Sequence, residues 1–245
     1  MIENSTYNQE IGLQWLRQAE AEHASVASFA RHTLQLMFIG APSDILEASQ
    51  EASIDEIKHA KMCYGVANTF MDKHVSPGVL DVKNSLGALD LKDMIQSIIR
   101  EGCIEETLAA IEAHYRHHLA QDNAITDVIK EIAEDETRHA KLAWDTIGWI
   151  AKKFPDYNDL IKMIFNEQLD NQQQILSKLT SSSSVVCPDY GKEEYFHKFG
   201  ILVPGDQEKV RSFGIKHMIK PTYEAGSDRF SSIFDNIMDL DVSII

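Results

Sequence analysis

The sequence predicts an all-α protein: an antiparallel four-helix bundle with a long crossover between its second and third helices, and additional helices after the fourth. Three observations predict it. Apolar residues recur at helical rather than strand spacing along four long stretches. A short loop, a long irregular segment and a second short loop join those stretches in order. Finally, the pattern DEIKHAKMCY at 55–64 returns as DETRHAKLAW at 135–144.

The first helix is expected over residues 9–39, with Leu13, Leu16, Val26, Phe29, Leu34 and Phe38 as its apolar positions. Gly40-Ala41-Pro42 stops it, because proline cannot continue a helical hydrogen-bond ladder. Ser43 is placed to cap the second helix, which runs to about residue 72. So short a connection makes the two antiparallel neighbours. Residues 73–89, with Pro77, Gly78 and Gly87, are too irregular for a helix and form the crossover. Asp90 can cap a third helix reaching about residue 121, and a fourth covers 123–153 and ends before Pro155.

The bundle therefore occupies 8–153. Beyond it, 156–179 reads as helical through Leu160, Ile164, Leu169, Leu176 and Leu179, and Ser181 to Ser184 form a loop tract. Residues 189–222 form one or two more helices, divided near Pro204-Gly205 and ended by Pro221. Residues 154–225 are expected to pack on the bundle as a helical extension, a lid or dimer surface, and 226–245 to form a tail.

Composition narrows the function classes. Lys and Arg number 23 against 38 Asp and Glu, a net charge of −15. That balance argues against nucleic acid, whose phosphates need basic patches, and against an anionic membrane surface. Cys63, Cys103 and Cys187 are too few and too scattered for a disulfide framework, and no C-x-x-C pair is present. Residues 1–10 carry neither the basic start nor the apolar run of a secretory signal, and no run approaches the length of a membrane span. The expected compartment is the reducing cytoplasm.

The repeat carries chemistry. Glu56 and His59 stand three apart, so both leave one helix face a turn apart; Glu136 and His139 do the same. Each pair is preceded, one helix upstream, by another glutamate, Glu22 and Glu106 respectively. A glutamate from each of two helices plus Glu-x-x-His from each of the other two is the ligand set of di-iron and di-manganese carboxylate bundles. Four carboxylates balance two divalent cations. Oxygen ligands with two imidazoles suit iron, with manganese or a mixed Mn/Fe pair as alternatives. The histidines are expected to present Nε2 to the metals, with Asp55 and Asp135 each accepting the Nδ1 proton of the histidine across the bundle.

Other side chains compete for parts of this site. Glu105 rivals Glu106 as the third-helix ligand; Ala109, Ala110 and Ala113, continuing the Glu106 face, favour Glu106. Glu20 lies off the face of Glu22 and is expected in solvent. His23 belongs to a polar network, and His114, His117 and His118 to a solvated face. Cys63 and Cys103 are expected to act as small buried apolar groups.

At these residues the chain resembles the ferritin-like superfamily. More narrowly, EHASVASFARHTLQLMFIGAP at 22–42, DEIKHAK and DETRHAKLAW look like a group of uncharacterised ferritin-like domain proteins, over about residues 10–153. FGILVPGDQEKVRSFGIKHMIKPTYEA is more loosely similar to the C-terminal part of that group. The resemblance implies Glu22, Glu56, His59, Glu106, Glu136 and His139 as ligands of two iron ions. The Asp-Glu-x-Arg-His pattern is also similar to that of bacterial multicomponent monooxygenases and acyl-carrier desaturases, which activate O2. Those relatives usually place a threonine one turn from the third-helix glutamate, where this chain has Ala109 and Ala110, so the resemblance brings no hydroxyl to that position.

An enzyme is expected, oxidising a small organic substrate with O2 or peroxide, its electrons coming from a separate donor protein. The alternatives are an iron-handling ferroxidase and a structural bundle with an inert metal site. A cavity beside the metals favours the enzyme, a closed cage storage, and a packed site the structural role. Surplus C-terminal helices are compatible with a homodimer.

Overall fold

The computed structural model describes residues 2–83, 85, 89–182, 190–230 and 232–245. Gly87, Ser183, Ser184 and Cys187 lie outside the described residues. Those described form helices and connections, with no strand among them. The bundle consists of α1 (Ile2–Phe38), α2 (Ser43–Phe70), a third helix in three parts, and α5 (Asn123–Lys153). The third helix opens as α3 (Leu91–Ser97), widens into π-helical turns over Ile98–Glu106, and closes as α4 (Thr107–Leu119). A 3₁₀ turn at Pro155–Tyr157 leads into α6 (Asn158–Ser182), α7 (Tyr190–Lys198) and α8 (Pro204–Phe213). A second π-helical stretch, Gly214–Ile219, continues into α9 (Lys220–Ala225), and α10 (Ser232–Met238) follows.

Side-chain pairs fix the direction of each helix. Met71 lies against Gly12, Glu22 beside His59, and Thr33 bonds Ser49, so α1 and α2 are antiparallel. Arg31 pairs with Glu101 and Arg116 bonds Gln18, which sets the third helix against α1. Likewise His59 meets Asp135 and Arg138 meets Asp55 between α2 and α5. Thus α2 and the third helix run the same way. The chain between them has to travel back along the bundle, which is why a long crossover replaces a turn.

Helical spacing on α1 is satisfied by two stripes, and the structure buries the less apolar one. Leu13, Leu34 and Phe38 are exposed by 40%, 49% and 56%, while Ile11, Trp15, Ala19, Glu22, Phe29 and Leu36 face inward. Leu13 and Trp15 are two residues apart and so point about 200° apart around the helix. The bulk of Trp15 and the site at Glu22 decide the choice. The expected caps also differ. Ser43 is the first helical residue after Pro42 at the cap position, and Asp90 makes no side-chain bond to its helix. Asp122 does cap α5, accepting from the Ile125 amide at 3.2 Å.

The π-helical turns of the third helix pack closely on α5. A Cβ on Gly102 would come within 2.5 Å of Ala143 Cβ, so only glycine allows this approach. Farther along, Trp144 stacks on Phe165 of α6 with ring centroids 5.3 Å apart and meets the edge of Phe230 at 5.0 Å. Phe230, Ile233 and Ile237 are buried in the same core as Ile104 and Ile147. The C-terminal residues thereby share one core with the bundle. Pro221 does not end a helix: it directly follows the π-helical stretch Gly214–Ile219 in a run of helical turns that continues to Ala225, and the chain turns at Gly226.

Candidate metal centre

Four helices bring six side chains to the middle of the bundle. Glu22 comes from α1, Glu56 and His59 from α2, Glu106 from the last π-helical turn, and Glu136 and His139 from α5. They form two groups. Glu22, Glu56, His59 and Glu136 offer ligand atoms all within 4.8 Å of one another, and Glu56, Glu106, Glu136 and His139 do the same. Glu56 and Glu136 are common to both, so the arrangement is one of two adjoining cation positions with two shared carboxylates. Within it, His59 Nδ1 stands 3.5 Å from Glu136 and 3.6 Å from Glu22, and His139 Nδ1 stands 3.2 Å from Glu56.

The orientation of the histidines corrects the sequence expectation. Both rings turn Nδ1, not Nε2, toward the carboxylates. His59 Nε2 faces Asp135 Oδ2 at 3.0 Å, and His139 Nε2 faces Asp55 at 3.6 Å, just beyond hydrogen-bond length. The aspartates thus lie across the bundle as expected, but against the other ring nitrogen. The reason is geometric. Nδ1 is the nitrogen nearer the backbone, and a glutamate one turn away on the same helix reaches no farther inward.

The electrostatics are those of a site made for cations. Burial, with the charges of Glu136 and Glu22, pushes the Glu56 carboxyl up to about 8. Burial and Glu136 likewise raise Glu106 well above the carboxylate range. Burial works against a charged imidazole, but Asp135, Glu136 and Glu22 push His59 up to about 12, and Asp55 and Glu56 push His139 up to about 9. The cluster by itself therefore holds protons in place of positive ions. Glu56 Oε2, His59 Nδ1 and both nitrogens of His139 are buried without a hydrogen-bond partner. Such atoms are costly to leave unpaired, and a metal is what imidazole and carboxylate lone pairs in this arrangement fit.

Glu105, the rival for the third-helix position, points out of the cluster to Arg211 and Gln172. Glu106 alone joins it. Glu20 is exposed as expected, and His23 belongs to neither group. His114 is not part of a solvated face: its Nε2 lies 3.0 Å from Thr137 Oγ1, and it is half-buried. Cys63 and Cys103 are fully buried free thiols, their pKa values raised by burial, and neither joins the cluster.

Sequence reasoning missed the cations around the cluster. Arg138 donates to Asp135 and, at 3.1 Å, to Asp55, and Lys58 donates to Asp55 at 2.8 Å. Burial notwithstanding, His139, Lys58 and Arg138 hold Asp55 below the usual carboxylate range. The signal was present in the repeat, where Lys58 and Arg138 occupy the same place. No such signal marked Gln18, which donates to Glu22 at 2.7 Å, or Arg116, which donates to Gln18 at 2.8 Å.

Three openings touch cluster residues, one of about 540 Å³ being lined by His139 with Asp55 and Arg138. A narrow cleft of about 50 Å³ runs between Phe29, Ile98 and Leu142 to His139 and Glu106. A cavity of about 290 Å³ lies between α1 and α4, its lining including Glu22, Glu56, Glu106, Glu136, Arg116 and Arg211. No helix among the described residues is long and apolar enough to cross a membrane. Compared with models of protein families, with curated proteins and with solved structures, the chain finds no match.

Proposed function

We propose that the chain is a ferritin-like, carboxylate-bridged di-iron oxidoreductase that uses O2 or peroxide to oxidise a small organic substrate. One observation carries this reading: the two buried ligand groups share Glu56 and Glu136 and open onto a 290 Å³ cavity. The cavity supports an enzyme over a closed storage cage or a packed structural site. The antiparallel pairings and the long return between α2 and the third helix support the ferritin-like arrangement.

In this reading Glu22 and His59 would hold one metal and Glu106 and His139 the other, with Glu56 and Glu136 available to both. A bound iron pair supplies the electrons with which O2 or peroxide is reduced, and manganese in one or both positions is the alternative. The chain's own side chains prepare the ligands. His59 donates its Nε2 proton to Asp135, which leaves the Nδ1 lone pair facing inward. Arg138 holds Asp55 and Asp135 in place behind both histidines. Gln18 fixes one oxygen of Glu22, while the other faces the cluster 3.6 Å from His59 Nδ1. The narrow cleft past Phe29 and Leu142 is of a size for O2 or peroxide, and the cavity past Arg116 for the substrate. Electrons would come from a separate protein. The exposed Leu34, Met37 and Phe38 of α1 and Ile54 and Ile57 of α2 support association with a second copy.

The test is anaerobic loading of the metal-free protein with Fe(II), followed by O2, with absorbance and Mössbauer spectra recorded. Two irons per chain, oxidised together and retained as a coupled pair, are expected. Many irons per chain passing into mineral would replace this reading with iron handling. Absence of binding, or binding without oxidation, would sink it in favour of a structural site.

A further inference from the structure

The cavity between α1 and α4 is lined by four carboxylates of the cluster and by two arginines whose circumstances differ. Arg211 is neutralised: it lies 2.9 Å from both oxygens of Glu105. Arg116 is not. It is 5% exposed, and its hydrogen-bond partners among the described residues are neutral: Nε donates to the Gly200 carbonyl at 2.7 Å and Nη1 to Gln18 Oε1 at 2.8 Å. Its guanidinium also lies over the Trp15 ring, 4.9 Å from the centroid. No carboxylate among the described residues is within ion-pair distance, although Glu112 stands one turn away on the same cavity wall. Nη2 makes no hydrogen bond among the described residues.

A buried charge without a counter-ion is costly, and here the fold goes to some length to keep it. The Gly200 carbonyl that anchors Nε is presented by a left-handed turn at φ +68°, against which a Cβ would meet Ile129 Cδ1 at 2.2 Å. Arg116 is also only two hydrogen bonds from Glu22, by way of Gln18. A ligand carboxylate paired with Arg116 would therefore have its carbon skeleton within reach of the metals. The cavity, at about 290 Å³, lies at the small end of the range for ligand pockets, about 300–1,000 Å³.

We infer that the substrate is a small carboxylic acid, held by its carboxylate on the free edge of Arg116 with its body turned toward the metal cluster. This rests on the oxidoreductase reading and names its substrate class. A guanidinium recognises a carboxylate through paired donors in one plane, so a neutral isostere is rejected. Gln18 gives Arg116 a second role, tying substrate position to the metal ligand Glu22.

The experiment uses the full chain loaded with redox-inert Zn(II), with zinc counted in the same sample. Benzoate, pentanoate and benzamide are titrated by calorimetry into wild type, Arg116→Lys and Arg116→Gln. Saturable binding of at least one acid is expected in wild type, with benzamide at least about tenfold weaker than benzoate. Arg116→Lys, which keeps the charge but not the planar pair of donors, should retain part of the preference and Arg116→Gln lose it. Nuclear Overhauser effects from the bound acid to the methyl groups of Ala109 and Ala113, which line the cavity, provide a second readout in wild type that needs no variant, and are expected. Two zinc ions per chain with no acid bound, equal affinity for acid and amide, or no contact with Ala109 or Ala113 would each overturn the inference and leave the metal reading standing. Unchanged benzoate affinity in Arg116→Gln would place the carboxylate on the metals and overturn it as well. Failure to bind zinc would instead remove the reading on which it rests.

Discussion

Arg211 of α8 reaches Glu105 of the third bundle helix and lies 2.9 Å from each of its carboxylate oxygens. Gln172 of α6 donates to the same carboxylate at 2.8 Å. The next residue in the chain is Glu106, the third-helix member of the candidate metal cluster. The C-terminal helices therefore hold the π-helical turn from which Glu106 points. Arg211→Met is expected to cost about 1 kcal/mol of stability, since this pair is partly exposed. It should also weaken retention of the metal on the Glu106 and His139 side. Chemical denaturation and metal analysis after dialysis check the two effects.

The shared carboxylates should matter to both cations and the unshared ligands to one. His59→Ala is expected to leave about one metal per chain, and Glu56→Ala or Glu136→Ala fewer than one. Metal content by mass spectrometry distinguishes them. Equal loss in all three would mean that the two groups do not act as a shared pair.

Glu106 should show opposite signs with and without metal. In the metal-free protein, burial and Glu136 make its charge unfavourable, so Glu106→Gln should be neutral or stabilising. A gain of about 1 kcal/mol would raise Tm by about 2–4 °C in a chain of this size. In the metal-loaded protein the same substitution removes a ligand and lowers Tm. Calorimetry of both forms gives the sign in each.

Arg138 is the common clamp on Asp55 and Asp135. Replacing it with methionine keeps much of its bulk but frees both aspartates, and metal affinity should fall about 10–100-fold. Lys58 reaches Asp55 alone and is half exposed, so Lys58→Met should have a much smaller effect. Competition with a chelator measures both.

His32 sets a pH dependence apart from the metal cluster. Burial beside the cleft, with the neighbouring charge of Arg31, pushes its imidazole down to about 4 from the ordinary 6.5, against the pull of Glu101. The unfolded chain then binds the proton more readily than the folded one, so stability rises with pH across this window. The contribution of neutral His32 is complete above pH 6.5 and is lost as pH falls toward 4. Between those values wild type should lose about 2 kcal/mol more than His32→Gln, a figure reduced for the partial exposure of the ring. Parallel denaturation series at several pH values check it.

The bundle was legible in the sequence because its signals are local. Gly40-Ala41-Pro42 marks one turn and Pro155 follows the end of α5, and neither depends on distant contacts. The six cluster residues were legible because i and i+3 share a helix face wherever that helix packs. Less was legible on α1, where two apolar stripes competed and periodicity could not say that Leu13 and Leu34 would face solvent. The π-helical turns escaped notice as well. Gly102 was their only mark, and its meaning depends on Ala143 of another helix.

The sequence by itself determined which residue types repeat, on which helices, and therefore that two Glu-x-x-His faces could meet. Only the tertiary structure decided that Nδ1 faces the cluster, that Glu106 enters it while Glu105 turns to Arg211, and that Arg116 stands over the cavity without an opposing carboxylate. The physical reason is separation along the chain. Helical periodicity fixes where a side chain leaves its own helix, whereas ring orientation, counter-ions and cavities are set by partners such as Asp135 for His59, Arg211 for Glu105 and Gly200 for Arg116. These are brought together only when the helices pack.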